Sequence, residues 1–150
     1  MSGVAYLDTS AFLRLFLDEP ESGQVSQAVQ EPTELHALRL VLTEARVSLE
    51  RLRREGRLTT EDHASTMDAV DLYWETQIQV VEMSEEVFLS AERVATLQPG
   101  LRTLDALHLG AARILRDELR PTPVAFIGCD HRLLRAASTI GFSTPIPPAG

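Results

Sequence analysis

The sequence contains no lysine; all 14 of its basic residues are arginine. This removes every chemistry that needs an ammonium side chain: the lysine of a phosphate-binding loop, Schiff-base formation, a lysine general base. Phosphoaspartate receivers and aspartate-nucleophile phosphatases fall with it, since both keep a lysine beside their acids. The single cysteine, Cys129, excludes an intrachain disulfide and suits a reducing, cytoplasmic setting. No apolar run approaches the ~20 residues of a membrane span. Met1-Ser2-Gly3-Val4 lacks the basic stretch and long apolar run of a secretory signal. Positive charge is also short, 14 basic residues against 22 acidic ones, so the surface as a whole is not a basic glove for nucleic acid. What remains is an ordinary globular composition, 44% hydrophobic and 24% charged over 150 residues, which fits one domain spanning 1–150.

Hydrophobic spacing gives the order of elements. Val4-Ala5-Tyr6-Leu7 is a short apolar run that stops at Asp8, and Ala11, Phe12, Leu15 and Phe16 then resume at helical spacing. A short helix follows Pro20 and runs to Val29, and Glu34 to Ala37 can form a second strand. Leu38, Leu42, Ala45, Leu49 and Leu52 mark a long amphipathic helix ending at Gly56. Thr59 or Thr60 caps another helix, containing Ala64, Met67, Val70, Leu72 and Trp74. Ile78 to Val81 reads as a third strand, and Ser84 starts a helix to about Leu97. Thr103 opens a helix with Leu104, Leu107, Ala111 and Leu115 as its stripe. Val124 to Ile127 is the fourth strand, Arg132 to Ser138 a helix, and Phe142 to Ile146 a possible fifth strand. Strands alternating with helices predict a parallel sheet covered on both faces, an α/β layer fold.

Ligands of open parallel sheets bind outside the carboxyl ends of the strands. Asp8 and Asp130 stand at two such points, Asp105 lies in the first turn of its helix, and Glu44 interrupts the apolar Leu40-Val41-Leu42 region. Each acid has a structural reading of its own: Asp8 and Asp130 as helix N-caps, Asp105 as a complement to the helix dipole, Glu44 as a half-exposed helix residue. Brought together, they repel; two charges ~5 Å apart at an effective dielectric of ~20 cost roughly 3 kcal/mol. Hard divalent cations such as Mg²⁺ or Mn²⁺ relieve that repulsion with oxygen ligands. They also support in-line displacement at a phosphodiester.

Four strings carry a family resemblance. They are Tyr6-Leu7-Asp8-Thr9-Ser10-Ala11-Phe12, Leu42-Thr43-Glu44-Ala45-Arg46, Leu101 through Leu109 around Asp105, and Phe126-Ile127-Gly128-Cys129-Asp130-His131-Arg132-Leu133. In order and spacing they resemble PIN-domain ribonucleases, in particular VapC-type toxins of toxin–antitoxin pairs. The resemblance implies a three-layer α/β/α sandwich around a parallel sheet of about five strands, and a Mg²⁺- or Mn²⁺-dependent endoribonuclease acting on RNA. It also implies homodimerisation, and inhibition by a small cognate antitoxin in a heterotetramer or larger assembly. Asp8 and Asp105 would be the principal metal ligands, with Asp130 and Glu44 completing the quartet directly or through water. Ser10, or Thr9, would position a ligand or phosphate. Many relatives carry Ser or Thr where this chain has Gly128, so a supporting hydroxyl is missing there.

Arg46 and Arg102 stand close in sequence to Glu44 and Asp105 and are the phosphate-contact candidates. His108 shares a helical face with Asp105 and reads as a proton shuttle, a metal ligand or a satisfied core histidine. Arg51, Arg53, Arg54 and Arg57 read as a solvated helix end or a phosphate guide. Tyr73 and Trp74 either stack on bases or close a helix against the core. Two other functions share these motifs: a PIN nuclease for RNA processing or DNA outside a toxin–antitoxin system, and a catalytically inactive PIN-like scaffold.

Overall fold

The computed structural model describes residues 3–149. Met1, Ser2 and Gly150 lie outside it, and with them part of the stretch on which the absence of a secretory signal was read. Four strands, β1 (Val4–Leu7), β2 (Glu34–Leu38), β3 (Ile78–Val81) and β4 (Val124–Ile127), form one parallel sheet in the order β3-β2-β1-β4. The register pairs Tyr6 with His36 on one side and with Phe126 on the other. Helices α1 (Thr9–Arg14), α2 (Ser22–Ala28), α3 (Leu40–Arg54) and α4 (Thr60–Gln77) cover one face. The other face packs against α5 (Glu85–Leu97), α6 (Thr103–Glu118) and α7 (His131–Thr139). This is the sheet covered on both faces that the alternation of strands and helices predicts, and the three-layer sandwich that the resemblance implies. Among the described residues, no helix is long and apolar enough to cross a membrane.

The two-residue period of β1 divides the core. Ala5 and Leu7 point into the layer of Phe12, Val41 and Trp74, whereas Val4 and Tyr6 point into the layer of Leu109, Leu134 and Phe126. Helices α5 and α6 come unusually close at Gly110, where a Cβ would lie 2.6 Å from the Ala91 nitrogen. Ser90 fastens this crossing by donating its hydroxyl to the Gly110 carbonyl at 2.9 Å. That close approach fixes the position of α6, and α6 carries Asp105 and His108.

The expected fifth strand is reduced to a single parallel bridge, Ala125 with Ser143, held by the Phe126 N–H donating to the Ser143 carbonyl at 2.9 Å. Pro145, Pro147 and Pro148 follow, and proline has no N–H to continue a ladder. Leu104 also departs from expectation. Placed in the stripe of α6 by its spacing, it is 44% exposed, while Leu107, Ala111 and Leu115 of the same stripe are buried.

Candidate active site

β1 and β4 are neighbours, and the chain leaves them toward opposite faces, so their carboxyl ends open a crevice at the switch point of the sheet. Asp8 sits at its floor. Its N–H donates to the Ile127 carbonyl at 3.1 Å, which extends the β1–β4 ladder by one residue. Its Oδ1 caps α1, accepting the Ala11 N–H at 2.9 Å and the Ser10 hydroxyl at 2.8 Å. Ser10 Oγ in turn accepts the Cys129 N–H at 2.9 Å, tying the two strand ends together. Asp8 Oδ2 has no hydrogen-bond partner among the described residues. The side chain is only 2% exposed. Burial pushes its carboxyl above the ordinary value, and the negative charge of Asp130 adds to the rise. His108, the Ala11 N–H and Ser10 oppose it without cancelling it.

The N-cap reading of Asp8 is therefore met in full, and it leaves one oxygen over. Asp130 repeats the arrangement at α7, where Oδ1 accepts the Arg132 N–H at 2.9 Å and the Leu133 N–H at 3.1 Å. Asp105 lies in the first turn of α6, its Oδ2 accepting the Arg102 N–H at 3.3 Å. Glu44 enters from the first turns of α3. The Thr9 hydroxyl donates to its Oε1 at 2.5 Å, and His108 Nε2 lies 3.1 Å from the same oxygen. Burial pushes the Glu44 carboxyl up, but the hydrogen bonds from His108 and Thr9 and the electrostatic attraction of the His108 ring outweigh it, leaving the net shift downward. Two acids of one groove are thus pushed in opposite directions, a pattern typical of sites that do chemistry.

All four acids line a single groove of about 740 Å³, together with Thr9, Ser10, Arg14, Arg102, His108 and Arg132. Arg46 is not among its walls. It is half exposed and pairs with Asp71 across the α3–α4 contact at 2.5 Å, so the expectation that it meets phosphate in this groove is corrected. Ser10 and Thr9 spend their hydroxyls on Asp8 and Glu44 and orient the acids rather than presenting a free hydroxyl to a phosphate. The structure adds Arg132, Tyr6 and the His108 contact to Glu44, none of which the sequence reading had assigned. Tyr6 could have been found from the strand period: it shares the buried face with Val4, and a buried tyrosine hydroxyl must find a partner.

Gly128 is not simply a position that lacks a hydroxyl. A Cβ there would stand 2.7 Å from Asp8 Oδ2, so glycine gives the carboxylate its room. Ser10 provides the hydroxyl contact instead. The other candidates lie elsewhere. Tyr73 and Trp74 pack edge-on against Phe12, closing α4 onto the core. Arg53 pairs with Glu50 and Arg57 with Glu55, away from the groove walls. Burial pushes the Cys129 thiol up to about 12, so it stays protonated and behaves as a small apolar group.

The donors in the groove are oxygen, the chemistry of a hard cation. Among the described residues no three acids, imidazoles or thiols form a finished cage. Mg²⁺ does not require one, because it keeps several waters and takes one or two carboxylates plus a phosphate. More telling is what the acids do not do. Every arginine ion pair among the described residues uses another partner, Glu19, Glu21, Asp71, Glu50, Glu55 or Asp117. The groove acids stay free of arginine, and the buried Asp8 keeps an unpartnered oxygen, so the residues present fit a divalent cation.

An open parallel sheet with free acids beyond the ends of two neighbouring strands, β1 and β4, defines an α/β protein with an acidic, oxygen-donor site at the switch point. The chain belongs to the PIN domain family, whose model matches residues 5–137. It is 32% identical over 146 residues to Ribonuclease VapC47 of Mycobacterium tuberculosis, covering 96% of this chain and 97% of that protein. Its fold is similar to a toxin–antitoxin complex from Klebsiella pneumoniae, with a TM-score of 0.68 at 15% identity, covering 95% of this chain and 98% of that one. It is also similar to Mycobacterium tuberculosis VapC20, a sarcin–ricin loop cleaving toxin, with a TM-score of 0.64 at 17% identity over 96% of this chain and 99% of that one.

Proposed function

We propose that residues 1–150 form one PIN domain that hydrolyses RNA phosphodiester bonds with Mg²⁺ or Mn²⁺ as the toxic member of a toxin–antitoxin pair. The observation that carries this reading is the set of four groove acids, free of arginine and including a buried carboxylate with an open oxygen. Asp8 and Asp105, each with one oxygen spent at the start of its helix, would be the principal ligands through the other. Asp130 and Glu44 would complete the cation's surroundings directly or through water. When bound, the cation supplies positive charge to the phosphate oxygens and makes water a stronger acid. Arg102 and Arg132 flank the acids and would seat the phosphates on either side of the cut. The relative named as a ribonuclease matches along nearly its whole length, which supports RNA as the substrate.

The reading extends to a homodimer in the cytoplasm, held in check by a small antitoxin in a heterotetramer or larger assembly. An arginine from that partner is the apt plug for the groove, since its planar fork pairs bidentately with carboxylates. The acidic surface would aid its capture. The test is cleavage of total RNA with its ends mapped, in Mg²⁺ or Mn²⁺ and in a chelator. Discrete metal-dependent ends are expected, and no cleavage of any RNA by folded, metal-loaded protein would refute the reading.

Two further results are expected from the groove geometry. Gly128→Ala should displace the Asp8 carboxylate and lower cleavage about 10²-fold, at a stability cost of about 1–3 kcal/mol. Comparing cleavage rates with denaturation midpoints separates these two effects. Arg102→Ala and Arg132→Ala should each weaken RNA binding across sequences. Each should also flatten the dependence of log affinity on log salt by about 0.7 for a single strand. Titrations in an Asp8→Asn background would measure this without cleavage.

A further inference from the structure

Glu44 is half buried, and a glutamate side chain left to itself samples several rotamers. Here one oxygen is held from two directions, by the Thr9 hydroxyl at 2.5 Å and by His108 Nε2 at 3.1 Å. Thr9 Oγ1 lies 3.3 Å from that same nitrogen, which closes a triangle around Oε1. Behind the imidazole, Nδ1 stands 2.8 Å from the Tyr6 hydroxyl. Tyr6 is fully buried and His108 only 3% exposed, so neither has water to compete for these bonds.

The direction of the bonds follows from the donors available. A carboxylate oxygen only accepts, so the Nε2 that lies 3.1 Å from Glu44 Oε1 carries a ring proton and donates to it. In a neutral imidazole the other nitrogen, Nδ1, then accepts, and it takes the hydrogen of the Tyr6 hydroxyl 2.8 Å away. Oε2 has no hydrogen-bond partner among the described residues and is left for the groove.

We infer that Tyr6 and His108 are positioning residues for Glu44, a buried relay that turns one carboxylate oxygen into the protein and presents the other to the groove. The inference rests on reading the groove as a divalent-cation site. It adds that the cation's hold on Glu44 is set from the opposite layer of the sandwich, through a tyrosine on β1 and a histidine on α6. Partners of this kind, one bond removed from a metal's ligands, typically change metal affinity or activity 10–100-fold when removed.

The experiment is Mn²⁺ binding to the full chain, followed by electron paramagnetic resonance, in four proteins: the unmodified chain, Tyr6→Phe, Glu44→Ala and the double variant. Tyr6→Phe removes a single oxygen and should weaken Mn²⁺ binding about tenfold. In the Glu44→Ala background the same change should have no effect. No weakening in the single variant, or equal weakening in both backgrounds, would overturn the relay. Imidazole ¹⁵N spectra give a readout independent of metal. The unmodified chain should show His108 as a single tautomer protonated on Nε2, and Tyr6→Phe should show a mixture. A ring protonated on Nδ1, or a spectrum indifferent to Tyr6→Phe, would also overturn it. If the unmodified chain does not bind Mn²⁺, the cation site itself fails, and the ¹⁵N spectra alone then decide the relay.

Discussion

Asp8→Asn is expected to reduce RNA cleavage by about 10³-fold or more, roughly 4 kcal/mol of barrier, while leaving the folded chain no less stable. The two halves of this result have separate causes. Asparagine serves as an N-cap as well as aspartate does, so the bonds from Ala11 N–H and the Ser10 hydroxyl persist on its amide oxygen. What is lost is the negative charge and the open oxygen. That charge is a burden in the metal-free fold, because burial raises the Asp8 carboxyl and Asp130 repels it.

The sign of the pH dependence follows. The folded pKa of Asp8 lies above the unfolded one, so its favourable contribution is fully present below the unfolded pKa and is lost as pH rises through the folded value. Glu44 is shifted the other way. Its contribution is present above its unfolded pKa and is lost as pH falls through the folded one. In chelator at neutral pH, Asp8→Asn should melt at or above the temperature of the unmodified chain. That advantage should shrink as pH is lowered through the Asp8 transition. Added Mn²⁺ should raise the melting temperature of the unmodified chain and not that of the variant. A lower melting temperature for Asp8→Asn in chelator would show that the carboxylate is there for structure.

Phe12→Ala should give the complementary outcome, a large loss of stability. Phe12 is fully buried, and its ring lies 5.1 Å from Phe16, 5.7 Å from Trp74 and 6.1 Å from Tyr73. With aromatics at only 5% of the chain, this cluster is where they concentrate on the α1–α4 side. Truncating a buried phenylalanine costs about 3–5 kcal/mol, against a total of 5–15 kcal/mol typical of a domain. The midpoint should fall by roughly 6–20 °C for a chain of this size. Because α1 follows Asp8 directly, Mn²⁺ binding at Asp8 should restore part of the lost stability by mass action. Denaturation with and without Mn²⁺ measures both effects, and a loss below ~1 kcal/mol would show that the cluster repacks.

The strands and caps were legible because their signals are local. Val4–Leu7, Ile78–Val81 and Val124–Ile127 stand where the apolar runs stand, and Ser84, Thr59, Asp8 and Asp130 each accept a backbone N–H as helix caps. The failures came from relations the chain makes at a distance. Arg46 is two residues from Glu44 in sequence, yet on a helix that offset turns it to another face, toward Asp71. Leu104 has the spacing of the α6 stripe yet stands exposed at the groove, and the last strand was undone by Pro145 and the prolines after it. Four acids at strand and helix ends were visible as a pattern, but their freedom from arginine was not, because any of 14 arginines could have paired with them. The Tyr6–His108–Glu44 chain joins residues as far as 102 positions apart, and only the packing of both layers against one sheet brings them together.

Anomalous diffraction from Mn²⁺-loaded crystals bears most directly on the claim that separate acids share one cation. A peak in the groove within coordination distance of Asp8 Oδ2, with Asp130, Asp105 or Glu44 in reach directly or through water, is the expected result. An empty groove at saturating Mn²⁺, or a peak held by residues outside these four, would contradict it.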